Sequence, residues 1–419
     1  MITGSAIGVL PKLEPVAVCR DPTVASRFLR IDLTAEQREL QRELRGYFDR
    51  LMTPARRAAL PGPEAGGDEF RELVRQMGAD GWLGIGWPKE YGGQGRTPAE
   101  QFIFYDEAQR AGVPMPLVTL NTVGPTLMRF GSDEQKDYFL PRILAGELHF
   151  AIGYTEPGAG TDLASLRTRA VRDGDQYVVN GQKVFTTGGN DADWVWLACR
   201  TDPGAPKHKG ISILLVDTTL SGYKHTPIHL LGGGFTNVTY YEDVRVPASA
   251  IVGKENEGWK MITTQLNHER VALAPAGMID RHLQAVLRWA KETHLADGRR
   301  VIEQEWVRVA LARVYAHVDA LKLANWQVAA ALTDGDLNPA DASAMKVFGT
   351  ELRVSALRAL MDVVGQSASL RRDAAGAVLH GQLEQAYRQA PVGTFGGGVN
   401  EVQREIIALA GVGMPRAPR

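Results

Sequence analysis

Along the chain the apolar residues switch between two spacings, and the switch points divide it into units. Leu40, Leu44, Phe48 and Leu51 recur at the spacing of one helical face. Thr34-Ala-Glu-Gln37 upstream reads as a capping box, a hydroxyl at the N-cap and an amide three residues on. Pro54 and Pro61-Gly-Pro63 then slacken the chain. A second helix is predicted over Phe70–Met77, ended by Gly78, another over Pro98–Ala111, and two more helical pieces finish at Gly146. From Phe150 the apolar runs shorten and fill with β-branched or aromatic residues. Arg167–Arg172, Gln176–Asn180, Val195–Cys199, Ile211–Val216 and Val238–Val244 read as strands, with Asp173-Gly-Asp175 as a hairpin turn. Strands this close together predict a small β-barrel or sandwich. Helical spacing returns near Gly258 and covers 260–273, 280–293, 303–333, 340–365, 379–388 and 401–410. Such a set, with short connections, predicts a four-helix bundle plus a tail.

The predicted architecture is therefore α+β and multidomain. Residues 1–31 form an irregular extension interrupted by Pro11, Pro15 and Pro22, 32–149 an N-terminal α-helical domain, 150–256 a middle β domain and 257–419 a C-terminal helical bundle domain. A chain of 419 residues is long enough for two or three packed units. Its formal net charge of −1 offers no basic field for nucleic acid or an anionic membrane. No apolar run approaches the ~20 residues of a bilayer span, and no signal-peptide core is expected at the N-terminus. Cys19 and Cys199 lie too far apart in sequence for a disulfide framework or a metal cluster, and the nine histidines show no ligand spacing. A protein of the reducing cytoplasm with no bound metal is the expectation.

The candidate chemistry starts at Tyr154-Thr-Glu-Pro-Gly-Ala-Gly-Thr-Asp162. Proline and alternate glycines exclude helix there and strip side chains from one side of the backbone, so a flat ligand can approach the main chain. Thr155 and Thr161 add hydroxyls. Alone, this is equally well a polar surface turn. It is followed by Asn180-Gly-Gln-Lys-Val-Phe-Thr-Thr-Gly-Gly189 and Trp194-Val-Trp-Leu-Ala198. In this order the stretches resemble the flavin-binding signature of the acyl-CoA dehydrogenase family. Further pieces of the resemblance are Gly81-Trp-Leu-Gly-Ile-Gly-Trp-Pro-Lys-Glu-Tyr-Gly-Gly93, Gly131-Ser-Asp-Glu-Gln-Lys136, Leu140-Pro-Arg-Ile-Leu-Ala-Gly-Glu147 and Leu266-Asn-His-Glu-Arg-Val271, so it runs from about Asp32 onward. It implies the middle β-barrel between two helical domains and FAD as cofactor. Tyr154, Thr155, Gly160, Thr161, Phe185, Thr186 and Thr187 would bind the flavin, Phe185 standing where many relatives have Trp. It also implies an acyl-CoA substrate, β-oxidation chemistry, and an electron-transfer flavoprotein as acceptor.

Glu269 is the expected catalytic base. On the helix near Trp259 it falls on the apolar stripe of Trp259, Ile262, Leu266 and Leu273, whereas His268 points away. An inward carboxylate is either functional or paired, and position alone leaves both readings open. Pro275 should kink the chain just downstream. Many relatives carry the base before the final helix in a Tyr-Glu-Gly-Thr context. Here Phe395-Gly-Gly-Gly-Val-Asn-Glu401 puts Gly397 at that place, and glycine takes no proton. Isovaleryl- and long-chain-type members place the base on the earlier helix, matching Glu269-Arg270. Thr161, Arg270 and Gly397 would face substrate. Val399 and Glu401 take FAD-contact positions where relatives often have Thr and Gln.

Family homotetramers complete each FAD site with a neighbour's Arg-x-x-Phe-Gly, a following Gln, and Gln-x-x-Gly-Gly-x-Gly. The best alignment puts His294-Leu-Ala-Asp297-Gly298, Glu305 and Met361-Asp-Val-Val-Gly-Gln-Ser367 there. The pyrophosphate-binding guanidinium is missing unless Arg299 or Arg300 replaces it. These losses resemble the heteromeric acyl-CoA dehydrogenases of actinobacterial steroid side-chain breakdown, which implies a dimer or tetramer with a homologous second subunit. The rival expectations are an acyl-CoA oxidase, a dehydrogenase of carrier-protein thioesters, and a non-catalytic structural subunit.

Overall fold

The computed structural model describes residues 33–60, 66–268, 274–335, 337–372 and 374–416. Helix α1 (Ala35–Leu51) begins at the expected capping box: Gln37 N donates to Thr34 Oγ1 at 3.2 Å, and Thr34 N donates to Gln37 Oε1 at 3.0 Å. It buries Leu40, Leu44, Phe48 and Leu51, the stripe read from the sequence. There follow α2 (Pro54–Ala59), α3 (Asp68–Ala79), α4 (Pro98–Ala111), α5 (Gly124–Phe130) and α6 (Asp133–Leu144). Both α4 and α6 open with capping boxes of their own, Thr97 with Glu100 and Ser132 with Gln135. A π-helical turn, Val118–Val123, leads into α5 and buries the polar Thr119, Asn121 and Thr122. Such turns often mark functional sites.

The middle unit contains β1 (Phe150–Gly153), β2 (Arg169–Asp173), β3 (Gln176–Lys183), β4 (Trp194–Arg200), β5 (Ile211–Asp217), β6 (Tyr223–His229), β7 (Phe235–Pro247) and β8 (Ile251–Val252). They form one eight-stranded sheet in the order β6-β7-β3-β2-β4-β5-β8, with β1 alongside β4. The expected barrel is thus realised as a sheet whose end strands, β6 and β8, have one neighbour each. The β2–β3 hairpin turns at Gly174, whose φ of 63° suits glycine. Strand β2 starts two residues later than its sequence suggests, because the N–H groups of Arg167 and Thr168 go to the Glu156 carboxylate. Strand β6 has no counterpart in the sequence reading. It is mostly polar and carries Pro227, and it sits at an edge, where a missing N–H is tolerated.

The C-terminal unit holds α7 (Gly258–His268), α8 (Gly277–Glu292), α9 (Glu305–Asp334), α10 (Pro339–Val364), α11 (Gln382–Gln389) and α12 (Asn400–Ile406). Leu283, Val286, Val314, Val318, Leu357, Leu360 and Leu383 build a second core between α8 and α11, separate from the one under the first two units. Helix α11 begins later than the predicted Leu379, because Leu379 and His380 hold left-handed backbone at φ 52° and 53°.

The first and last units are clasped where α4 crosses the start of α8. Asp106 Oδ1 accepts from Gly277 N at 2.7 Å. A Cβ at Gly277 would lie 2.2 Å from the Asp106 carbonyl oxygen, so only glycine permits this approach. Burial pushes the Asp106 carboxyl up to about 6, against the pull of the Gly277 hydrogen bond. A carboxyl raised in the fold costs stability as pH rises from its ordinary 3.8 through that folded value. Asp106→Asn keeps the acceptor and removes the charge. It should stabilise the protein near pH 7.5 by about 1 kcal/mol and flatten the fall in stability between pH ~4 and ~6. Thermal melts of both proteins across that range check this; a parallel pH dependence would refute the assignment.

Candidate active site

Two stretches distant in sequence meet at the sheet. Strand β1 ends at Gly153 and the chain turns through Tyr154–Asp162, while β3 ends at Lys183 and continues into Val184–Gly189. Val184 N donates to the Thr155 carbonyl at 2.8 Å, laying the second stretch along the first. Glu156 and Ala159 exchange two main-chain hydrogen bonds of 3.1 Å, closing a tight Glu-Pro-Gly-Ala turn.

A buried ion pair anchors that turn. Lys183 Nζ donates to Glu156 Oε1 at 2.8 Å and to the Tyr154 carbonyl at 3.0 Å. The carboxylate also accepts from Arg167 N at 2.7 Å and Thr168 N at 2.8 Å. Lys183 is 0% exposed and Glu156 8%. Burial by itself raises the Glu156 pKa, but the Lys183 charge and the hydrogen bonds outweigh it, and the carboxyl is held below its ordinary range.

Above this anchor the surface is open. A Cβ at Gly158 or Gly188 would meet nothing within 4 Å, and one at Gly160 only the Thr155 methyl at 3.8 Å. Phe185 stands beside this bare main chain, 62% exposed and at φ 58°. A bulky residue in left-handed backbone that also exposes its ring is doubly unfavourable, and such outliers cluster at ligand sites. Thr187 keeps an exposed hydroxyl 3.2 Å from Thr236 Oγ1. Thr161 is exposed at the rim, followed by Asp162, which pairs with Lys207. The Tyr154 hydroxyl accepts from Trp196 Nε1 at 3.1 Å.

Thr186 differs from its neighbours. It is fully buried, its hydroxyl is 3.2 Å from Thr239 Oγ1, and its N–H donates to the Asn237 carbonyl at 2.9 Å. Its carbonyl accepts from Asn237 Nδ2 and Gly189 N, so Thr186 holds the loop rather than facing outward. From the other side Arg71 on α3 clasps Asp191 and Asp193 just beyond the loop.

Other residues expected at the site lie on separate segments. Glu269 and Arg270 fall outside the described residues. The chain resumes at Ala274, whose carbonyl accepts from Asn325 Nδ2 at 2.9 Å. On α7, four residues before Glu269 in sequence, Gln265 is 1% exposed and neither end of its amide has a hydrogen-bond partner among the described residues. A buried amide in that state calls for an explanation. Gly397 (φ 65°), Val399 and the exposed Glu401 lie where the chain enters α12. The neighbouring helix α11 is tied to the β6–β7 loop by Gln389 Nε2 to the Gly232 carbonyl at 3.2 Å.

His294, Asp297 and Glu305 lie between α8 and α9, in a tight turn at Gly298 and at the first residue of α9. Arg299 and Arg300 are engaged within the chain, Arg299 with Asp297 at 2.6 Å and Arg300 with Glu303 at 2.7 Å. Met361 packs partly buried against the bundle core.

Residues 34–147, 151–244 and 256–411 match, in turn, the N-terminal, middle and C-terminal domains of acyl-CoA dehydrogenases. The chain belongs to the acyl-CoA dehydrogenase family. It is 56% identical over 400 residues to acyl-CoA dehydrogenase FadE26 of Mycobacterium tuberculosis, covering 93% of this chain and 100% of that one. Among solved structures it is similar to a chain of the ChsE4-ChsE5 complex from Mycobacterium tuberculosis, with TM-score 0.88 and 56% identity over 93% of this chain and all of that one. It is equally similar in fold to the Tcur3481-Tcur3483 steroid ACAD, with TM-score 0.88 and 53% identity over 93% and 100% of the two chains.

Acyl-CoA dehydrogenases are FAD-binding oxidoreductases, and the surface between Tyr154 and Gly189 fits a flavin. The glycine cradle leaves room for a flat ring, beside which the exposed Phe185 would offer an aromatic wall and Thr187 a hydroxyl. No described helix is long and apolar enough to cross a membrane. Sequence reasoning gave no role to Glu156 or Lys183, which entered only as members of the two motif stretches, and it ended the strand at Asn180, short of Lys183. The available signal was parity: Tyr177, Val179 and Lys183 share the buried face of β3, and an ionisable residue on such a face needs a partner. Lys183→Met leaves the Glu156 carboxylate buried without its cation and should cost about 3–5 kcal/mol. Adding Glu156→Gln should recover part of that loss. Denaturant melts of the single and double variants measure the coupling, and additive losses would show that the pair does not act as a unit.

Proposed function

We propose that this chain is a catalytic subunit of an FAD-dependent acyl-CoA dehydrogenase that converts an acyl-CoA to its trans-2-enoyl thioester. The observation that carries this reading is the meeting of Tyr154–Asp162 with Lys183–Gly189 around an open glycine cradle and an exposed Phe185. Tyr154, Thr155, Gly160, Thr161, Phe185 and Thr187 line the flavin, with Thr186 as their support. Bound FAD supplies the acceptor for the hydride that leaves the β-carbon. Glu269 takes the α-proton, so that the C–H electron pair left behind forms the new double bond. Hydrogen bonds to the thioester oxygen stabilise the developing enolate. Gly397 has no group to take that proton, so the role falls to Glu269. Gln265 on α7 offers the bound acyl group a donor and an acceptor, with Thr161, Arg270 and Gly397 around the substrate. The electrons pass on to an electron-transfer flavoprotein.

The relatives support a reading of the substrate and the assembly. One is described as a steroid ACAD, and both solved relatives are complexes of two differently named chains. We assign to this chain a bulky, steroid-type acyl-CoA and a homologous second subunit. Arg299 and Arg300 support the second assignment, because each is already paired with a carboxylate of its own chain. A guanidinium so engaged must exchange its partner to bind a pyrophosphate. Val399 and Glu401 then border a FAD site shared between subunits.

Glu269→Gln should retain FAD while flavin reduction by acyl-CoA slows by ~10²–10⁴-fold, measured in single-turnover absorbance at 450 nm as the readout of oxidised flavin. Wild-type rates in that variant would end the assignment. Oxygen uptake without added acceptor would instead indicate an oxidase. Purified alone, the chain should hold FAD well below one per subunit, and co-expression with a homologous subunit should restore it. Stoichiometric FAD in a homo-oligomer would refute the two-subunit reading.

A further inference from the structure

The segment Thr394–Val399 leading into α12 has almost no side chains with which to hold its shape. Gly396, Gly397 and Gly398 are exposed, the last two at φ 65° and 96°, and Phe395 is 55% exposed. A glycine loop cannot be fixed by packing, and its main-chain carbonyls are the handles that remain. Lys346, in the middle of α10, takes hold of two of them. Its Nζ donates to the Gly398 carbonyl at 2.7 Å, to the Thr394 carbonyl at 3.2 Å and to Asn400 Oδ1 at 2.7 Å. The three contacts use all three ammonium protons, and they bracket the glycine run on both sides.

Lys346 is 2% exposed. None of its three hydrogen-bond partners is a carboxylate, which is unusual for a buried charge. Glu351 is one step removed, accepting from Asn400 Nδ2 at 3.1 Å and from Arg404 at 2.7 Å. Thr350, on the same helix, accepts from Asn400 Nδ2 at 3.1 Å and completes the network under the loop. An apolar residue of the same length would avoid the desolvation penalty but leave three oxygens without their donor. No apolar side chain can fasten the two loop carbonyls, of Thr394 and Gly398, to the Asn400 amide at the start of α12.

We propose that Lys346 is the positioning residue of the Gly396–Gly398 loop and, through it, sets how well the enzyme holds a wide acyl-CoA. The second half of this inference rests on the proposed function, which puts Gly397 against the substrate. Lys346, 2% exposed, acts through the loop it holds. The bare glycines give width, and the ammonium keeps them from collapsing into the space they leave.

Hydrogen exchange and steady-state kinetics on the assembled, FAD-loaded enzyme test this with Lys346→Met and Lys346→Arg. In Lys346→Met, exchange of the Phe395 and Gly396 amides, which donate to the Val392 carbonyl, should quicken about tenfold or more. The KM for a CoA thioester with a fused-ring acyl group should rise about tenfold, with kcat within about twofold. Octanoyl-CoA should be affected less. Lys346→Arg, which keeps the charge and several donors, should recover part of both losses, whereas a general packing defect would lower kcat and KM behaviour together without rescue. Wild-type exchange in the loop of Lys346→Met would overturn the proposal, as would a loosened loop with an unchanged KM. If Lys346→Met does not fold, the same two readings on Lys346→Gln decide in its place. If the unmodified enzyme reduces its flavin with neither thioester, the proposed function falls, while loop exchange still decides whether Lys346 holds the loop.

Discussion

The contact between Glu156 and Lys183 is the constraint on which the site is built. It is costly to place two charges under a sheet, and the cost is offset because both Glu156 oxygens accept hydrogen bonds and the Lys183 ammonium also reaches the Tyr154 carbonyl. Lys183 closes β3, and Glu156 opens the glycine turn, so one 2.8 Å contact fixes where two distant stretches meet. The same carboxylate takes the N–H groups of Arg167 and Thr168, which also decides where β2 begins. A turn of proline and glycines has little stiffness of its own. Here the stiffness is imported from beneath, and the upper surface stays free of side chains.

The rest of the molecule keeps that surface in place. Arg71 reaches from the first helical unit to Asp191 and Asp193, and Asn237 on β7 holds Thr186 from within. Asp106 and Gly277 join the first and last units where two backbones nearly touch. The three units thus bear on each other through polar contacts of defined length, at points where apolar packing alone would allow sliding.

Much of the fold was legible because its signals are local. The capping box at Thr34, the stripe from Leu40 to Leu51 and the Asp173-Gly-Asp175 hairpin each depend on a few neighbouring residues, and the structure shows all three. Strand β6 was not legible, since an edge strand that faces solvent needs no alternation of apolar residues. The start of α11 was misplaced because left-handed Leu379 and His380 leave no mark in a helical pattern. At the site, the open positions were found from the glycines and threonines. What holds them was not, because Glu156 with Lys183, and Lys346 with Gly398, are separated by 27 and 52 residues. Thr186 shows the same limit from the other side: three adjacent residues, Phe185 to Thr187, have identical sequence context and different faces.

Phe185 works against itself twice. Its backbone sits in the left-handed region that a bulky side chain disfavours, and its ring lies against solvent beside a stretch of naked main chain. A glycine would relieve both at once, so drift under selection for stability alone runs away from this residue.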